Sequence, residues 1–80
     1  MSASVDQVLA GIAECLLVER TSITTSTVAD DVPAWDSVAV IELVFMLQRD
    51  YDLTLLPAQA TTLTSVEAVL DVLRAAGKLR

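Results

Sequence analysis

The side chains most able to do chemistry sit together at Ala34-Trp35-Asp36-Ser37-Val38. Trp35 closes a stretch rich in Thr, Ser and Asp, and Val38 opens a run to Leu47 in which every residue but Glu42 is apolar. A serine hydroxyl becomes a nucleophile when a neighbouring base takes its proton, and the 80 residues contain no histidine. Ser37, at the mouth of a helix, therefore reads as a point of attachment. Asp30 and Asp31 are adjacent and read as a solvated loop. Cys15 falls within an apolar pattern and reads as a small, partly buried residue. One cysteine makes neither an internal disulfide nor a Cys-only metal site. With no glycine-rich phosphate loop either, the chain is expected not to be an enzyme.

Eighty residues make one domain, spanning 1–80, with a core that must pack tightly to be stable. Hydrophobic residues are 54% of the chain and aromatics only 4%, so the core is expected to be aliphatic. With two Gly and two Pro, that composition favours a compact helical domain over disorder. A formal net charge of −6, from 11 acidic and 5 basic residues, argues against nucleic acid and for partners with basic surfaces. No apolar run approaches the roughly 18 residues of a membrane span. Nor does the N-terminus have the form of a secretory signal. A soluble, monomeric, cytoplasmic protein with no membrane partner is expected.

The elements that must position Ser37 follow from periodicity. Ser4 with Gln7 has the form of a capping box opening a helix at Val5. Val5, Val8, Leu9, Ile12, Leu16 and Leu17 then mark one buried stripe that fades near Glu19-Arg20. Gly11 weakens this helix by about 1 kcal/mol relative to Ala, which suggests that a neighbouring element comes close there. Thr21 to Trp35 is a long connection, with Ile23, Val28 and Val32 as its anchors to the core and Pro33 favouring an extended Val32. A second helix is predicted from Ser37 to Arg49 or Asp50, capped by Asp36. Its core stripe is expected to be Val40, Leu43, Val44, Leu47 and Tyr51, leaving Val38, Ile41, Phe45 and Met46 on the shoulders or outside. A helix apolar all round is normally buried all round, yet so small a domain has little to surround it. Part of its surface should be an exposed apolar patch of the kind that binds partners.

Asp52 to Leu63 is a connection with one helical turn at Pro57-Ala58-Gln59-Ala60. Leu53 to Leu56 has strand-like composition but no second strand to pair with. The last helix is expected to start at Thr64-Ser65-Val66-Glu67 with a second capping box. Val66, Val69, Leu70 and Leu73 are its buried stripe and Gly77 its C-cap. Arg74, Lys78 and Arg80 suit the negative end of its dipole.

At Asp36-Ser37-Val38 the chain resembles the acyl carrier proteins, whose pattern Asp-Ser-Leu opens their second helix; Val38 stands in place of the Leu. Glu42-Leu43-Val44, with Leu47, Asp50 and Tyr51, agrees with the family's Glu-Leu, aliphatic and acidic-aromatic positions. Leu63-Thr64-Ser65-Val66 resembles its usual approach to the last helix, and Asp31-Val32-Pro33 before Trp35-Asp36-Ser37 looks like carriers that read Pro-Gly-Trp-Asp-Ser. The likeness covers nearly the whole chain. It implies an all-α, four-helix bundle of three longer helices and one short one. It also implies a covalent 4′-phosphopantetheine on Ser37, placed by a phosphopantetheinyl transferase that Asp36 helps to engage. The arm's thiol would hold acyl or aminoacyl groups as thioesters for loading and processing enzymes (a ligase, acyltransferase or synthase).

The departures from the family's pattern shape the expectation. Ala39 and Val40 replace polar positions, Gln48 and Arg49 replace acids, and Pro57 to Thr61 is uncharged. Partner recognition is therefore expected to use Asp36, Val38, Ile41, Glu42 and Phe45, with apolar contact outweighing charge. A free-standing carrier of a polyketide, nonribosomal peptide or related specialised pathway fits these residues better than a housekeeping fatty-acid carrier. The alternative is an unmodified helical adaptor that binds a partner helix through the apolar second helix, with Ser37 a bystander beside the cap.

Overall fold

The computed structural model describes residues 3–79. Four α-helices follow one another: α1 (Val5–Leu16), α2 (Ser37–Tyr51), α3 (Pro57–Ala60) and α4 (Val66–Ala75), with three-residue 3₁₀ turns at Arg20–Ser22 and Ala29–Asp31 between α1 and α2. Among the described residues no strand forms, only two isolated bridges. α2 packs chiefly on α1, which also meets α4, while α3 leans on α2. At 1.5 Å per residue the 15 residues of α2 span about 22 Å, most of a molecule measuring 29 × 25 × 19 Å. So long a helix in so small a body leaves one of its faces in water.

Each helix starts where a side chain can accept an orphan amide. Ser4 and Gln7 form the predicted capping box, with the Ser4 amide donating to Gln7 Oε1 at 2.9 Å and the Gln7 amide to Ser4 Oγ at 3.2 Å. Asp36 caps α2. At α3 the Leu56 amide donates to Gln59 Oε1 and Pro57 fills the first helical position. α4 differs from the sequence expectation. Its cap is Ser65, which accepts from the Ala68 amide at 3.0 Å, so Glu67 falls one position short of closing a box and pairs instead with Arg74 at 3.5 Å.

The core is aliphatic, as composition requires: Val8, Ile12, Ile23, Leu43, Leu47, Leu63, Val66, Val69, Leu70 and Leu73 are fully buried. The α4 stripe lies as predicted; α1 shows three changes, the first being that Val5 is only half-buried. Ala13 joins the core and Leu17 leaves it, 92% exposed. The α2 face is rotated from its expected position. Ala39 and Met46 are buried with Leu43 and Leu47, while Val40, Val44 and Tyr51 are half-buried at the margins. Met46, expected on the shoulder or outside, instead lies over Gly11, its Sδ and Cε both 3.5 Å from where a Cβ on residue 11 would stand. The neighbour is close, but at an ordinary contact distance that admits a methyl group.

Three helices end on left-handed residues: Leu17 (φ 56°), Asp52 (φ 54°) and Gly77 (φ 70°). At α4 the amides of Lys78 and Gly77 donate back to the carbonyls of Leu73 and Arg74, closing a Schellman motif on glycine. The same pattern ends α1, with Val18 and Leu17 donating to Ala13 and Glu14. There a leucine occupies the position that glycine suits, and this turn is why Leu17 drops out of the buried stripe. A left-handed L-residue carries roughly 1–2 kcal/mol of strain. Leu17→Gly should therefore raise stability by about 1 kcal/mol, read as a later urea midpoint at unchanged slope. A lowered midpoint would mean that the exposed side chain holds the fold in a way its surroundings do not indicate.

Candidate functional site

Ser37 is the first residue of α2, and it is exposed. Asp36, extended at φ −108° and ψ −170°, accepts the Ala39 amide on Oδ1 at 2.9 Å and the Val40 amide on its carbonyl at 3.0 Å. Among the described residues the amides of Ser37 and Val38 meet no acceptor, and the Ser37 hydroxyl makes no hydrogen bond. The site thus presents an unengaged hydroxyl and two open amides at the positive end of a 15-residue helix.

The loop leading into Ser37 is held from beneath. Trp35 is 6% exposed, and its indole Nε1 donates to the Leu63 carbonyl at 3.1 Å. Farther back, the Ala29 amide donates to the Thr64 carbonyl at 2.8 Å, and the Val66 amide to the Thr27 carbonyl at 3.0 Å. These bonds latch the long connection onto the residues that precede α4. Ile23 is a fully buried anchor and Val32 a half-buried one, extended as Pro33 requires. Val28, the third expected anchor, is 39% exposed and contributes its backbone bridge to Ser65 instead. Thr27 and Trp35 are the anchors that apolar patterning did not identify. A threonine gives no hydrophobic signal, and one tryptophan has no period.

Along the outer face of α2, Val38, Ile41 and Phe45 are 63%, 53% and 60% exposed, with Glu42 exposed among them. The spacing i, i+3, i+4, i+7 puts all four on one stripe beside Asp36. All five residues expected to recognise partners therefore lie on one exposed surface together with Ser37. None of the described salt bridges uses Asp36 or Glu42, so the stripe is apolar with acidic edges.

A cleft of about 340 Å³ opens between the end of α1 and the start of α2, lined by Cys15, Leu17, Ala34, Asp36, Val38 and Glu42 among others. Cys15 is half-buried there, with its Sγ 3.8 Å from the Glu42 carbonyl. Burial pushes its thiol above the ordinary range, and the Glu42 carboxylate adds to this, while Arg49 opposes it. A larger cleft of about 420 Å³, between α3 and α4, includes none of these residues. Among the described residues no group of three or more His, Cys, Asp or Glu side chains is placed to hold a metal ion, and no helix is long and apolar enough to cross a membrane. No protein-family model matches the chain, and no curated protein matches it.

Two measurements follow from this geometry. Trp35→Phe keeps an aromatic ring but leaves the Leu63 carbonyl without its donor and a small void where the indole was, and should cost at least about 1–3 kcal/mol of stability. An unmoved denaturation midpoint would show that the latch does not depend on that bond. For Cys15, a raised pKa leaves less thiolate at neutral pH, and the thiolate is the reactive form. Alkylation should be slower in the native chain than in the urea-unfolded one, and should accelerate only as pH climbs above the usual thiol range. Equal rates would contradict the shielding.

Proposed function

We propose that this protein is an acyl carrier protein, a helical bundle of the carrier type bearing 4′-phosphopantetheine on Ser37. It would hold acyl or aminoacyl groups as thioesters in a specialised polyketide, nonribosomal peptide or related pathway. The observation that carries the reading is the surface around Ser37: an exposed, unengaged hydroxyl at the head of α2, with the Ser37 and Val38 amides open to an anion. A phosphodiester placed there gains from the helix dipole. In the transfer, the Ser37 oxygen attacks the pantetheine-bearing phosphorus of coenzyme A. A new O–P bond forms, the pyrophosphate bond breaks and adenosine bisphosphate leaves, while the hydroxyl proton passes to a base of the transferase. The chain has no histidine to serve as that base.

Docking of the transferase and of the loading and processing enzymes is assigned to Asp36, Val38, Ile41, Glu42 and Phe45. Their exposed apolar stripe, edged by two acids that no described cation pairs, supports a mainly hydrophobic contact. The same stripe also favours a second reading, an adaptor that binds a partner helix without modification. Incubation with coenzyme A and a promiscuous phosphopantetheinyl transferase separates the two. Intact mass should rise by one phosphopantetheine in the wild type and not in Ser37→Ala, which should keep the wild-type helical spectrum because Ser37 lies outside the core. No increment on a folded wild type would remove the carrier reading and leave the adaptor.

A further inference from the structure

The cleft between α1 and α2 shares its wall with the attachment point, since Asp36 and Val38, the two neighbours of Ser37 in sequence, both line it. Its other wall carries Leu17, a leucine 92% exposed and held in the left-handed region. Glycine would sit there with less strain and close the same turn. A strained leucine pointed into water packs little within the chain and is free to meet something outside it. Apolar Leu17, Val38 and Ala34 are interspersed there with the carboxylates of Asp36 and Glu42, which accept hydrogen bonds and donate none.

We propose that this cleft seats the proximal, pantoyl portion of the arm and so directs the arm along the α1 side of the molecule. The inference rests on the carrier reading of Ser37. The chemistry of the two sides is complementary. The pantoyl group carries a branched dimethyl carbon suited to Leu17 and Val38, with a hydroxyl and an amide that donate to Asp36 and Glu42. Tethering at Ser37 supplies the effective concentration that lets so open a cleft hold its occupant. A volume of about 340 Å³ lies at the lower end of small-molecule sites and suits part of the arm better than the arm with a large cargo.

The test compares isotope-labelled apo and holo protein by NMR, with intact mass recorded on each sample. In the holo form, amide shifts should move at Cys15, Leu17 and Ala34 as well as next to Ser37, and the pantoyl methyls should show contacts to the Leu17 methyls. Leu17→Gly should load to the same extent by mass, yet lose the shift changes at Cys15 and Ala34. If mass confirms loading but the changes stay within residues 36–39, or appear on the α3 side at Leu56, the cleft assignment is wrong while the carrier reading stands. If the wild type gains no mass, the carrier reading fails and takes this proposal with it.

Discussion

The indole N–H of Trp35 reaching the Leu63 carbonyl is the contact on which the arrangement around Ser37 depends. The connection between α1 and α2 is long and holds only two short 3₁₀ turns, so its own hydrogen bonds cannot fix where α2 begins. Placement comes from a few anchors: Ile23 in the core, the pairing of Thr27 and Ala29 with Val66 and Thr64, and Trp35 at the end. The indole is buried one residue before the cap, so the cap and the hydroxyl after it inherit the position of a core side chain. A surface group is thereby located with the precision of an interior one.

The second organising constraint is the disproportion between α2 and the rest of the molecule. Its sequence is apolar on nearly every side, yet the rest of so small a body, chiefly α1 with α3, covers only part of it. The structure buries the face centred on Leu43 and Leu47 and leaves Val38, Ile41 and Phe45 outside. In an isolated monomer that exposure is unfavourable, and the acids at its edges, unpaired by any described cation, keep the surface hydrated.

Much of this was legible in the sequence. The capping residues Ser4 and Asp36, the one-turn helix at Pro57 and the α4 stripe follow from local chemistry, which short windows capture. The exposed α2 stripe followed from a mismatch of size. What stayed hidden depended on tertiary context. Met46 is buried because it packs onto α1 over Gly11, a pairing across 35 positions that periodicity within α2 cannot reveal. Leu17 continues the apolar rhythm of α1, and only the backbone reversal after Leu16 turns it outward. The second capping box failed because Ser65 and Thr64 are both competent caps, and the bonds from Thr64 and Val66 to the loop select between them.

The scarcity of aromatic residues has a spectroscopic consequence. Trp35 is the only tryptophan in the chain, and it lies beneath the loop that carries the cap and Ser37. Emission excited beyond the tyrosine band, and the tryptophan bands of the near-ultraviolet dichroism, therefore report on one buried ring, two positions from Ser37. The molecule carries a built-in optical gauge of the order in its most consequential loop.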